Sequence, residues 1–137
     1  MNILLAAPRT GRLRTDRTGE IYPEYRKSLR RDVTFLEQLG HKVCCPLLEQ
    51  MSSDPSKALE ETLSRLDDAE GLLAYIDPYV SAGVQTMIGF ALARDKQIVI
   101  ASSPIFTELP GITAAIIASG KAVSVPLPLD VDPFARN

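Results

Sequence analysis

Residues 71–91 change rhythm once, and that change constrains the fold more than any other stretch. Gly71-Leu72-Leu73-Ala74-Tyr75-Ile76 is an unbroken apolar run of strand length, closed by the turn signal Asp77-Pro78. Beyond Tyr79, Val80 and Ser81, the residues Val84, Met87, Ile88 and Ala91 recur at the i, i+3, i+4, i+7 spacing of one helix face. A strand, a short loop and a helix that folds back on it form half of a parallel α/β unit. In sheets built from such units, small ligands bind at the carboxyl ends of the strands. Asp77 falls at that end and is expected to form one wall of any site.

The rest of the chain repeats the alternation. Ile3-Leu4-Leu5-Ala6-Ala7 is a short apolar run ended by Pro8, as in a central strand covered on both faces. Tyr22-Pro23-Glu24 opens a helix to about Leu39, with Tyr25, Leu29, Asp32 or Val33, Leu36 and Leu39 on one face and Gly40 as its stop. His41 to Pro46 reads as a second strand. Ser53-Asp54-Pro55-Ser56 offers caps for a second helix carrying Ala58, Leu59, Thr62, Leu63 and Leu66. Gln97 to Ala101 is a fourth strand, and the small apolar run 112–118 is expected to be a buried helix stopped by Gly120. Ala122 to Val125 supplies a fifth strand. The expected fold is therefore α/β, a single three-layer domain over residues 1–137. Its five-stranded parallel sheet has helices on both faces and the order 2-1-3-4-5. The Pro-rich tail, 126–137, is expected to lie over the surface or against a neighbouring subunit.

Composition excludes several function classes. A net charge of −2 on 137 residues lacks the basic footprint that a nucleic-acid polymer requires. No stretch reaches the roughly 18 apolar residues of a spanning helix, and Met1-Asn2-Ile3 leads straight into a strand-like run, so a cytoplasmic protein without membrane contact is expected. Cys44 and Cys45 are adjacent and cannot bridge each other without strain, which suits buried free thiols in a reducing compartment. One histidine, His41, and two adjacent cysteines make no zinc site. The acids at Asp67, Asp68 and Glu70 are expected to be solvated rather than to hold a metal. No cofactor is implied. The loop after the first strand carries Arg9, Arg12, Arg14 and Arg17 against Asp16 and Glu20. It is either a solvated surface loop or a set of guanidinium groups for a phosphate.

Taken in order, these segments resemble the nucleoside 2-deoxyribosyltransferase family. Ile3-Leu4-Leu5-Ala6-Ala7-Pro8 is similar to the family's opening I-x-L-A-G-P, and Gly40 to Pro46 to its G-x-x-V-x-x-P. Leu66 to Asp77 approximates D-x-A-D-x-x-x-A-x-x-D. Ser81 to Lys96 parallels D-S-G-T-x-x-E-x-G-Y-A-x-A-x-x-K. The resemblance spans residues 3 to about 101. It implies a Rossmann/flavodoxin-like fold, a nucleoside or nucleotide ligand, and a homodimer or higher homo-oligomer whose sites are often completed across subunits.

The family cleaves an N-glycosidic bond through a glutamate nucleophile and a glycosyl-enzyme intermediate, much as retaining glycosidases do. By position Asp77 matches a family active-site aspartate, whereas Met87 stands where the nucleophile belongs and Ser81 replaces the aspartate before S-G-T. The late asparagine has no counterpart near Pro110-Gly111-Ile112. A thioether neither attacks an anomeric carbon nor offsets its positive charge. The resemblance therefore implies a binding protein without the family's glycosyl transfer. Asp77 would hold sugar hydroxyls, Pro8 and Gly83 would border the ligand, Tyr79 and Phe90 would line the base or sugar pocket, and Arg9, Arg12 and Arg14 would meet a phosphate. Two other readings stand beside it. One is an active N-glycosidase or transferase with a displaced carboxylate, such as Glu20 or Glu108. The other is an oligomeric scaffold assembled through the small residues of 82–94.

Overall fold

The computed structural model describes residues 1–9, 15–49, 51–76, 81–103 and 111–135. Its elements run β1 Asn2–Ala6, α1 Pro23–Gln38, β2 Lys42–Cys44, a 3-10 turn Pro46–Leu48 and α2 Pro55–Asp68. They continue with β3 Gly71–Ile76, α3 Ala82–Ala93, β4 Gln97–Ser102, α4 Gly111–Ala118 and β5 Val123–Pro126. The five strands form one sheet in the order β2-β1-β3-β4-β5, every neighbouring pair parallel, as the alternation of segments predicts. The central pairing sets Ile3 opposite Gly71 and Ala6 opposite Ala74. From β1 the chain moves outward to β2, and from β3 it moves the other way to β4. The crevice where the two directions part lies at the carboxyl ends of β1 and β3.

Alternation along the strands divides the core into two layers. Leu4, Leu72, Ala74, Ile98 and Ile100 join Leu66 of α2, Val84, Met87, Ile88 and Ala91 of α3, and Ile116 of α4. Ile3, Leu5, Leu73, Tyr75, Val99 and Ala101 join Leu29 and Leu36 of α1 together with Leu129 and Phe134 of the tail. β3 is buried along its whole length, which is why its sequence shows no polar alternation. Helix ends follow the local chemistry. Asp54 accepts the Ser56 N–H at 3.0 Å with Pro55 in the first turn of α2, Ser81 accepts the Val84 N–H at 3.3 Å at the start of α3, and Gly40 takes φ +94° just past α1.

Two local expectations are corrected. The run 112–118 is helical but mostly exposed, with only Thr113 and Ile116 buried and Ile112 67% exposed. Cys45 is buried as expected, whereas Cys44 is only half-buried beside Arg65, whose Nη1 lies 3.2 Å from the sulfur. Burial raises the Cys44 thiol above its ordinary pKa despite the guanidinium, and burial pushes Cys45 up to about 11, so both are protonated at neutral pH. His41 is held by two hydrogen bonds. The Met1 amino group can only donate, so His41 Nδ1 accepts from it at 3.2 Å, which leaves Nε2–H to donate to Asp132 Oδ2 at 2.9 Å.

That contact pins the tail into the core rather than leaving it on the surface. Asp132 also accepts the Phe134 N–H at 3.0 Å, and the Phe134 ring, 6% exposed, fills the notch left by Gly71. A Cβ on Gly71 would stand 2.6 Å from that ring, so only glycine opens the first position of β3 to the tail. Burial alone would raise the Asp132 carboxyl, but the Phe134 N–H and the His41 ring hold it below the ordinary carboxylate range.

Phe134→Ala is expected to cost about 3–5 kcal/mol in urea unfolding, as for a buried aromatic truncated to a cavity. Gly71→Ala should destabilise in the same direction without adding fully, since both act on one contact. A loss below about 0.5 kcal/mol for Phe134→Ala would mean that the tail is not part of the core. Because the folded pKa of Asp132 is depressed, its contribution is complete above the ordinary carboxylate pKa and is lost as pH falls through the lower folded value. Asp132→Asn should therefore flatten the acid limb of a stability–pH profile and leave its alkaline limb unchanged.

Candidate functional site

A cavity of about 370 Å³ opens where the switch in strand order predicts a ligand. Its floor is the end of β1, Leu5 and Ala6, with Ala7 and Arg9 beyond. Pro46 and Leu47 of the 3-10 turn, Met51 and Ser52, and Ala58, Leu59 and Thr62 of α2 make one wall. Ser81, Gly83, Val84 and Met87 make the other. Met87 reaches this position because the α3 residues Val84, Met87, Ile88 and Ala91 turn one face to the sheet, and it is 7% exposed. Ser81 faces the same space while its hydroxyl caps α3.

Arg9 is the one charged side chain among the described lining residues. Its Nη2 donates to the Gly19 carbonyl at 2.8 Å, which uses one of five guanidinium N–H groups. That carbonyl is held by a small turn. Thr15 and Ile21 form an antiparallel bridge, and Asp16 Oδ1 accepts from Thr18 Oγ1 at 2.6 Å, from the Thr18 N–H at 2.8 Å and from the Glu20 N–H at 3.2 Å. The hydrogen bonds from Thr18, side chain first, keep the Asp16 carboxyl ionised below its usual range. Gly19 sits at φ +84°, the left-handed region that glycine occupies without strain. Residues 15–21 are thus an ordered turn that fixes a cation at the cavity mouth.

Of the expected site residues, Arg9, Ser81, Gly83 and Met87 meet at this cavity. Pro8 does not join them and lines a second cavity on the α1 side, described below. Phe90 is absent from the lining. It packs against the α2–α3 core layer with the Arg94 Cζ 5.3 Å from its ring centroid. Asp77, Tyr79, Arg12, Arg14 and Glu108 lie outside the described residues. Glu20 is exposed on the turn and is no part of the lining. The acids at 67–70 are spread apart. Asp67 pairs with Arg94 at 2.6 Å, and Glu70 accepts the Asn2 N–H at 3.1 Å.

Sequence reasoning missed the α2 wall and Met51. Thr62 carries the one signal that was available, a hydroxyl within the apolar phase of a helix. The chemistry of the lining is plain. Among its described residues are hydroxyls, two thioethers, aliphatic side chains and one guanidinium, but no carboxylate, imidazole or thiol. The described lining is suited to an anion with an apolar or planar body, and its one formal charge is positive.

No protein-family model matches the sequence, and no curated protein matches it. Solved structures do share the fold. The CMP N-glycosidase BcmB of Clostridium botulinum is similar at TM-score 0.67 and 15% identity over 92% of this chain and 88% of that one. A 2-deoxyribosyltransferase from the psychrotolerant bacterium Bacillus psychrosaccharolyticus is similar at TM-score 0.58 and 16% identity, over 82% of this chain and 79% of that one. That of Leishmania mexicana gives 0.57 and 14%, over 74% of this chain and 64% of the other. The chain has the fold of the deoxyribosyltransferases and N-glycosidases.

Ser81→Ala should lower stability by about 1 kcal/mol through loss of the α3 cap, and Ser81→Asp should retain it. Chemical denaturation of the three proteins checks this; equal stability of all three would mean that the cap carries no weight.

Proposed function

We propose that the chain binds a nucleoside monophosphate, or a closely related phosphorylated nucleoside, in the cavity at the end of β1, without the glutamate-dependent glycosyl transfer of the deoxyribosyltransferases. The observation that carries this reading is the lining itself. It pairs an anchored arginine with apolar walls that include Met87, the residue which by its position in the sequence would replace the glutamate of that chemistry. Phosphate would meet Arg9, and the sugar and base would lie against Met51, Leu47, Val84 and Met87. Asp77 would hold sugar hydroxyls, Tyr79 would border the base, and Arg12 and Arg14 would add to the cation at the mouth. Likeness in fold to a CMP N-glycosidase makes CMP the first ligand to try.

A second reading, an active N-glycosidase using a displaced carboxylate, draws on the same likeness and on Asp77, the acid that follows Ile76 in the sequence. Assembly is proposed as a homodimer or higher homo-oligomer, with the small residues of α3, Ala82, Gly83, Gly89 and Ala93, allowing close approach of a second copy.

A thermal-shift screen of nucleosides and nucleoside monophosphates, with chromatography for free base, tests the reading. A monophosphate at a hundred times its dissociation constant should stabilise the protein by roughly 2.7 kcal/mol, with no base released. Arg9→Ala should weaken the monophosphate by about tenfold or more, the worth of a charge-assisted hydrogen bond, and leave the nucleoside nearly unaffected. Base release would favour the glycosidase reading. Absence of any shift would reject ligand binding at this cavity.

A further inference from the structure

The second cavity, about 290 Å³, lies on the α1 side of the sheet's carboxyl edge. Its walls are Pro8, Tyr25, Ile76, Leu127 and Pro128, and its polar groups are Ser28, Arg31, Asp32, Tyr75 and Ser103. Asp32 is the anomaly. It falls in phase with Leu29 and Leu36 on the buried face of α1, where a leucine would pack, and it is 2% exposed. An acid in such a position destabilises the fold unless its charge is answered.

The described partners answer it incompletely. Tyr75, 6% exposed, donates its hydroxyl to Asp32 Oδ2 at 2.5 Å. Burial, and then the hydrogen bond to Asp32, raise the Tyr75 pKa far above its ordinary value, so this phenol is a permanent donor. The other oxygen, Oδ1, meets only the Arg31 Nη2 at a long 3.4 Å. Residues i and i+1 of a helix do not face each other, so Arg31 reaches Asp32 by curling back over its own turn. Its side chain is 59% exposed and stands at the mouth. A buried carboxylate with one oxygen weakly satisfied thus lies beside a guanidinium that is free to turn outward.

We propose that this cavity is a second ligand site, for a small zwitterion bearing an ammonium and a carboxylate on adjacent atoms, the class of free apolar α-amino acids. The ammonium takes Asp32 Oδ1 as its acceptor, with the Ser28 and Ser103 hydroxyls nearby. The ligand carboxylate takes the Arg31 guanidinium, which rotates away from Asp32. The apolar body lies among Ile76, Leu127, Pro128 and the ring of Tyr25, whose hydroxyl is tied to the Pro8 carbonyl at 2.7 Å. The site is independent of the nucleotide reading, since the two cavities share none of their described lining residues. They flank the same strand exit through the neighbours Pro8 and Arg9.

The test is an amide NMR screen of the wild-type protein against the free α-amino acids. Each hit is then titrated calorimetrically alongside the amine that lacks its carboxylate. At least one apolar amino acid should shift Tyr75, Ile76 and Ser103 saturably. Arg31→Ala, a change at an exposed side chain, should weaken it by about tenfold or more and leave the decarboxylated amine unchanged. Asp32→Asn should weaken both. If Asp32→Asn does not fold, the contrast given by Arg31→Ala decides alone. No saturable shift with any amino acid, or binding indifferent to Arg31→Ala, would overturn the proposal and leave Asp32 and Tyr75 as a structural pair.

Discussion

The parallel pairing of β1 with β3 is the contact on which the rest of the molecule depends. It places two largely apolar strands at the centre of the sheet and sends the chain from them in opposite directions, so their carboxyl ends are left uncovered by a crossover. Both cavities lie along that edge, one toward α2 and α3 and the other toward α1. The same pairing starts at Gly71, and the absence of a side chain there admits Phe134 and closes the α1-side core layer. Site and tail are thus two consequences of how one strand is seated.

Where charge sits determines what each cavity can do. In the cavity at the end of β1 the described lining supplies one guanidinium and no carboxylate, so its electrostatics favour an anion and give an oxocarbenium-like centre nothing to lean on. On the α1 side a buried carboxylate, Asp32, stands beside the exposed guanidinium of Arg31. Fold likeness at 15% identity describes the scaffold, and the side chains decide the chemistry.

Much of the scaffold was legible in the sequence because strands buried on both faces are continuous apolar runs and the helices between them keep their period. The strand order and the seating of Val84, Met87, Ile88 and Ala91 on the sheet follow from that reading. Arg9, Ser81, Gly83 and Met87 line one cavity because Arg9 follows the exit of β1 and the other three lie in the first half of α3 or at its cap. Less was legible where long-range packing decides. Pro8 and Arg9 are adjacent in sequence yet face different cavities. Asp32 reads as one slip in a helical pattern that Val33 could equally complete, and its partner Tyr75 is 43 residues away. The tail's anchor depends on a notch at Gly71 that looks like an ordinary strand start. α4 has the composition of a buried helix and is mostly exposed, since periodicity cannot say whether a neighbouring element covers it.

Three methionines make the central claim directly testable. Met51 and Met87 line the cavity at the end of β1, and Met1 does not. Methyl NMR of protein labelled at the methionine Cε, titrated with CMP and then with other nucleoside monophosphates, reads that cavity with its own internal control. The account predicts that the Met51 and Met87 resonances move together and saturably while Met1 stays still, and that the nucleotide is recovered intact. Resonances that do not move with any monophosphate, or a shift at Met1 alone, would contradict it.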